Sequence, residues 1–235
     1  MDTPVRLSVT QLADLAECPC DRCYWTSYHL PVPLPSPFPR LLGDLDRETK
    51  RAVVRHVRRY GRLPDWHPAV GDVRSVVPAE RLRPSVMRVL DRRTGVLLRG
   101  SPDMVFQLAD GSYHIVDYKA TRAPAAGQPT VARYRVQLNA YAFLAEHAGL
   151  RPVSGLSLVF LEAGRLLRAR EGGFAALRLE ARSRRVGLHP DRWVVPLLQR
   201  ASRVLRRPEP PAAHPDCTAC AELASWARKL LRACR

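Results

Sequence analysis

An α/β fold is predicted, with a mixed central β-sheet flanked by helices and with the chain ends joined by a cysteine metal site. Three observations predict it. Short strand-like runs cluster over residues 86–121, between segments of helical periodicity at 44–60 and 132–148, and strands framed by helices fit a layered α/β architecture. Ala109-Asp110-Gly111-Ser112 separates two apolar runs, and Asp-Gly there marks a hairpin, because the turn needs residues that tolerate positive φ. The cysteines are Cys18, Cys20, Cys23, Cys217, Cys220 and Cys234, with none between Cys23 and Cys217. At 235 residues and 46% hydrophobic content, the chain suits a single domain over 1–235. Its core would span about 40–205, with cysteine-bearing ends at 1–30 and 208–235.

The elements follow in order. In Leu7-Ser8-Val9-Thr10-Gln11-Leu12, Ser8 and Gln11 stand at capping-box spacing, which starts a helix; that helix runs to Cys18-Pro19. Pro31 to Pro39, PVPLPSPFP, is a stiff extended connector. A helix over Asp44 to Tyr60 ends near Gly61. Strands are expected at Val86–Leu90, Val96–Arg99, Val105–Leu108 and Tyr113–Thr121. The Pro- and Gly-containing loop Arg122–Thr130 is placed to gate a site. Tyr134, Leu138, Tyr141 and Ala145 recur at helical spacing, so 132–148 reads as an amphipathic helix. Further strands fall at Leu156–Leu161 and near Phe174–Leu179, and a helix at Asp191–Val204. Pro208–Pro215 links to a tail helix through Trp226 and Leu230 that carries Cys234.

The hairpin strand carries the chemistry. Side chains alternate along a strand, so Tyr113, Ile115, Asp117 and Lys119 share one face and His114, Val116 and Tyr118 the other. Ile115 and Val116 lie on opposite faces, so both faces should be covered. Charges in a covered sheet are costly unless paired or metal-bound. Asp117 and Lys119 are therefore either a structural ion pair or part of a reaction centre. Lysine is scarce: of 38 Lys plus Arg, only Lys50, Lys119 and Lys229 are lysines. A compact, movable charge has been kept at Lys119 where a planar guanidinium would differ in reach and geometry.

Asp103, Asp117 and Lys119 across this hairpin resemble the PD-(D/E)XK nuclease superfamily. Gly100 with Asp103, as Gly-x-x-Asp, and Gln137-x-x-x-Tyr141 on the following helix resemble its RecB-like branch, as do the first helix, Cys18-Pro19 and Tyr24-Trp25. The resemblance covers about residues 7–220. It implies a restriction-endonuclease-like core and phosphodiester hydrolysis with Mg²⁺ or Mn²⁺. The ion would be held by Asp103, Asp117 and the Tyr118 carbonyl, hard oxygen donors suited to it, and Lys119 would orient a water and stabilise the transition state. Gln137 and Tyr141 would touch DNA or brace the site. A further ligand on the preceding helix is implied, and Asp46 is the candidate there, with a helix-start acid as its alternative role.

The spacings Cys20-x-x-Cys23 and Cys217-x-x-Cys220 make a four-thiolate site for Zn²⁺ or an iron–sulfur cluster. MDTPVRLSVT lacks the apolar segment of a secretory leader, so a cytoplasmic location and a metal site are expected rather than a disulfide framework. Some RecB-like nucleases hold a four-iron, four-sulfur cluster with one N-terminal and three C-terminal cysteines; that pattern implies Cys18, Cys217, Cys220 and Cys234 as alternative ligands.

A net charge of +16 fits a polyanionic partner. DNA is expected, single-stranded DNA included, alongside a helicase or other repair protein. No apolar run approaches the ~20 residues of a membrane span. No Gly-rich loop ending in Gly-Lys-Ser/Thr is present, which disfavours nucleotide hydrolysis. The leading reading is a metal-dependent DNA nuclease in repair, recombination or defence. The alternatives are a non-catalytic nucleic-acid-binding module with a structural Zn or Fe–S site, and a zinc-ribbon regulatory protein.

Overall fold

The computed structural model describes residues 3–17, 20–30, 39–125, 128–168 and 175–233. The chain runs β1 (Val5–Ser8), α1 (Val9–Glu17), α2 (Asp21–His29), α3 (Pro39–Tyr60), β2 (Val73–Val76), β3 (Arg88–Asp91), β4 (Val96–Arg99), β5 (Met104–Leu108), β6 (Tyr113–Lys119), α4 (Pro129–His147), β7 (Val153–Arg168), β8 (Ala175–Val186), α5 (Pro190–Leu205) and α6 (Thr218–Ala233). One turn of 3₁₀ helix, Ala79–Leu82, precedes β3. The connector expected over 31–39 falls outside the described residues except for Pro39, which opens α3.

The central sheet has the order β2-β5-β6-β7-β8. It is mixed: β6 and β7 are parallel, and the other pairs are antiparallel. A parallel pair needs a crossover, and α4 supplies it. The β5–β6 hairpin turns at Gly111, with φ 85°. Asp110 Oδ1 there accepts from the Ser112 backbone N–H at 2.8 Å and its hydroxyl at 2.6 Å.

Both faces of the sheet are covered, as the lack of alternation predicted. On one face Val105, Ile115, Leu156, Leu158 and Phe160 pack against Leu138, Ala142 and Ala145 of α4. On the other, Met104, Phe106, Val116, Tyr118 and Val159 pack against Val53 and Val57 of α3. Full burial of a side chain such as Phe106 or Phe160 contributes about 1.5–3 kcal/mol.

Several expectations are corrected. The strands expected near 86–90 and 96–99 exist but leave the central sheet. They form a second sheet ordered β1-β4-β3, in which β1 runs parallel to β4. Helix α4 is not an amphipathic surface helix. It is enclosed by the sheet on one side and by α1 and α5 on the other, so apolar residues are needed nearly all round it. Strands β7 and β8 extend far beyond the expected runs. Past Phe160, the last residue paired with β6, they form a two-stranded ribbon in which apolar and charged residues do not alternate cleanly. The strands β1 and β2 and helix α2 were not anticipated.

Gly100 links β4 to β5 under close packing. A Cβ there would lie 2.7 Å from Val9 Cγ2 and 2.9 Å from Tyr141 Cε1. Gly100→Ala should therefore lower the unfolding free energy by roughly 1–3 kcal/mol in urea titrations, the usual cost of overpacking; a wild-type midpoint would contradict this account.

Candidate active site

The hairpin brings two aspartates to one end of the sheet. Met104 pairs with Val116 across β5 and β6, which places Asp103 beside Asp117. Asp103 Oδ2 accepts the Tyr118 backbone N–H at 2.9 Å. Asp117 lies on the face covered by α4 and is only 2% exposed.

Lys119, two residues on, shares that face. Its Nζ lies 2.6 Å from Asp117 Oδ2 and donates to Gln137 Oε1 at 3.0 Å. Gln137 Nε2 donates to Asp117 Oδ1 at 3.3 Å and to the Tyr141 hydroxyl at 3.4 Å. Gln137 thus braces the acid and the amine together. Lys119 also stands over the Tyr134 ring, 4.9 Å from its centroid. The Lys119 contact to Asp117 Oδ2 is one of charge without aligned hydrogen-bond geometry, and this oxygen is buried without a hydrogen-bond partner. Burial, and then the charge of Asp103, push the Asp117 carboxyl up to about 6, against the pull of Lys119 and Lys50.

Helix α3 contributes from the opposite layer. Asp46 is at the cleft, but its Oδ2 is 2.7 Å from Lys50 Nζ one turn later. The same ammonium reaches Asp103 Oδ1 at 2.6 Å. Burial opposes the charge on Lys50, but Asp103 and Asp46 outweigh it and hold the ammonium above its usual pKa. Sequence reasoning passed over Lys50, although the scarcity of lysine that singled out Lys119 pointed to it equally.

Tyr118 points to the other face. Its hydroxyl is 2.8 Å from His67 Nε2, and His67 Nδ1 is 2.8 Å from the Pro68 carbonyl. Burial drives the Tyr118 phenol well above its usual pKa and the His67 imidazole below it. Pinned in this way, Tyr118 fixes the backbone N–H that holds Asp103.

Asp46, Asp103, Asp117, Lys119, Gln137 and Tyr141 line one cleft of about 260 Å³. Its carboxylates, with the Tyr118 carbonyl nearby, are the hard oxygen donors that Mg²⁺ or Mn²⁺ prefer. Asp117 Oδ2, buried beside Lys119 without an aligned hydrogen bond, is an oxygen that such an ion could take as a ligand.

A second cluster closes the chain ends. The sulfurs of Cys20, Cys23, Cys217 and Cys220 all lie within 4.8 Å of one another. Cys23 Sγ is 3.3 Å from Cys217 Sγ and 3.2 Å from Cys220 Sγ, and Cys20 Sγ is 3.6 Å from Cys220 Sγ. Burial pushes the Cys20 thiol up, but hydrogen bonds from the backbone of His214 and Cys23 and from neighbouring thiols outweigh it and bring it down to about 6. Burial and the adjacent thiols push Cys23 strongly up, and burial raises Cys220. The alternative ligands Cys18 and Cys234 lie outside the described residues.

The family model for the PD-(D/E)XK nuclease superfamily matches residues 35–225. No protein of curated function matches the chain. Among solved structures, one described as "Crystal structure of SSO0001" aligns at 15% identity over 90% of this chain and 81% of that chain, with a TM-score of 0.43.

Two outcomes are expected of these sites. Ligation by Asp117 needs its carboxylate, which carries a proton below about pH 6. Mn²⁺ affinity, measured by calorimetry, should hold steady above that pH and fall about tenfold per unit below it. Equal affinities at pH 5 and pH 7 would contradict the assignment. Cys23→Ser should reduce the metal that co-purifies with the protein and expose the segment between Pro208 and Cys217 to protease. Unchanged metal content and cutting rate would dissociate the cysteines from metal.

Proposed function

This chain belongs to the PD-(D/E)XK nuclease superfamily, and from that membership we propose that it is a Mg²⁺- or Mn²⁺-dependent deoxyribonuclease of RecB-like type, acting in cytoplasmic DNA repair, recombination or defence. The observation that carries the proposal is the buried Asp117, whose Oδ2 lacks a hydrogen bond at a cleft that also holds Asp103 and Lys119. Three carboxylates around one cleft would repel a phosphate. A chain of net charge +16 would attract DNA to its surface yet exclude the scissile group from this cleft unless a cation joined it.

Asp103, Asp117 and the Tyr118 carbonyl would hold the divalent ion, with Asp46 at its margin. When bound, the ion supplies Lewis acidity towards the phosphate and lowers the pKa of a water. Lys119, held beside Asp117 and oriented by Gln137, would hydrogen-bond that water or a non-bridging phosphate oxygen and offset the charge that develops there. Water adds to phosphorus, the bridging P–O bond breaks, and the products are a phosphomonoester and an alcohol. Gln137 and Tyr141, four apart on α4, match the RecB-like pattern and support that assignment.

The cysteine site would be structural. Its four sulfurs surround a single point, which favours one four-coordinate ion such as Zn²⁺; in a four-iron cluster each thiolate ligates a different iron and the sulfurs stand further apart. A non-catalytic DNA-binding module would have no use for the intact Asp103, Asp117 and Lys119 set. Among the described residues no helix is long and apolar enough to cross a membrane. A helicase or other repair protein is a companion consistent with that role.

Purified protein with Mn²⁺ or Mg²⁺ should cut DNA when offered circular, linear and end-blocked substrates, single- and double-stranded. Lys119→Ala and Asp117→Ala should each reduce the rate by about 10²-fold or more. Cleavage that survives both changes would remove the proposal.

A further inference from the structure

Lys50 stands against two of the carboxylates that line this cleft. Its Nζ bridges Asp46 Oδ2 at 2.7 Å and Asp103 Oδ1 at 2.6 Å, distances at or below those usual for charge-assisted hydrogen bonds. The two acids come from different elements, α3 and the turn before β5, so the ammonium joins two layers of the fold. It does not swing freely. Asp46 precedes Lys50 by one helical turn, the favourable order for an acid and a base, and Val53 and Val57 anchor α3 in the core.

Resting on the nuclease reading above, we propose that Lys50 is a resident cation of the active site, supplying the second positive charge so that the cleft takes one divalent ion rather than two. Charge balance argues for this. Asp46, Asp103 and Asp117 carry three negative charges, and Lys50 and Lys119 return two. One divalent ion then leaves the cleft with a single positive charge, enough to accept a phosphodiester. A second divalent ion would raise the cleft to three positive charges with Lys50 in place, or would have to displace Lys50 from both acids. Geometry argues the same way. Lys50 lies between Asp46 Oδ2 and Asp103 Oδ1, the pair a second ion would have to bridge, and leaves the pair Asp103 and Asp117 to the first.

The residue type adds an independent argument. Of 38 Lys plus Arg in the chain, three are lysines, and two of these contact carboxylates of the cleft. A guanidinium is a planar fork that matches both oxygens of one carboxylate. An ammonium is a point donor that can share itself between single oxygens of two carboxylates, which is what Lys50 does.

The test is the count of Mn²⁺ ions bound by the DNA-free protein, followed by electron paramagnetic resonance of free Mn²⁺. Asp117→Asn serves as the reference for ions bound outside the cleft. Wild-type protein should bind one more Mn²⁺ than Asp117→Asn. Lys50→Met should bind a second cleft ion, or bind the first at least tenfold more tightly. Two cleft ions in wild-type protein would overturn the proposal, and this holds even where Lys50→Met does not fold. A folded Lys50→Met with wild-type count and affinity would also overturn it, leaving Lys50 as a structural ion pair. Failure of the nuclease reading is distinguishable, because wild-type and Asp117→Asn would then bind Mn²⁺ equally and no DNA would be cut.

Discussion

A carboxylate buried in the middle of a covered sheet is the constraint from which the rest of this structure follows. Asp117 is 2% exposed on β6, between β5 and β7, and burying an unpaired carboxylate costs several kcal/mol. The fold answers with cations and donors drawn from its surroundings. Lys119 stands two residues along the same strand face, and Gln137 reaches down from α4. Even so, the balance is incomplete, since the carboxyl stays raised to about 6 and one oxygen lacks a hydrogen bond. An acid left partly uncompensated in this way has a use for a further cation, and the fold provides an open cleft beside it.

The three-layer arrangement explains how so few residues converge. Strand alternation sends Asp117 and Lys119 towards α4 and Tyr118 towards α3. The side chain of Tyr118 is held by His67 in the lower core, while its backbone N–H stays at the sheet end and grips Asp103. One layer therefore fixes the amide, and the other fixes the amine and the acid. Helix α3 adds Lys50 and Asp46 from below, and α4 adds Gln137 and Tyr141 from above. The closeness of α4 to the sheet end depends on Gly100, where a side chain would strike both Val9 and Tyr141. The Gly-x-x-Asp pattern thus has a steric origin: its glycine admits the helix that carries Gln137.

Local signals were legible in the sequence, and long-range ones were not. The capping box at Ser8 forms as the spacing requires, with Ser8 N–H to Gln11 Oε1 at 2.8 Å and Gln11 N–H to Ser8 Oγ at 3.1 Å. The Asp110-Gly111 turn, the hairpin and the covered faces of β6 also follow from neighbouring residues. The second sheet was hidden because β1 pairs with β4 across some ninety residues, Val5 opposite Val96, and four-residue strands leave almost no period to read. Helix α4 misled in the opposite direction. Its apolar residues at helical spacing suggested one buried stripe, but Val136, Ala140 and Leu144 are buried too, because α1 and α5 cover its far side. Among candidate site residues, Asp103, Asp117, Lys119, Gln137 and Tyr141 meet in one cleft, and the cysteines pair as the two Cys-x-x-Cys spacings suggested. Lys50 was missed because its partner Asp103 lies 53 residues away, beyond the reach of any local pattern.

The distribution of basic residues separates two kinds of electrostatic work in one chain. Arginine supplies nearly all the positive charge and sits on exposed helix and strand faces, as with Arg51 on α3 and Arg182 on β8, whose side chains are 62% and 67% exposed. At such sites, an arginine offers permanence of charge and a broad contact surface. The cleft imposes a different demand. Lys50 and Lys119 are 28% and 20% exposed, and each must contact single atoms on two partners within a small volume already crowded by α3 or α4. A guanidinium would overreach these partners and would lock onto one carboxylate at the expense of the other. The retention of lysine at these two positions, in a chain whose only other lysine is Lys229, is therefore accounted for by geometry. At the cleft, compactness of charge, rather than its amount, governs the choice of residue.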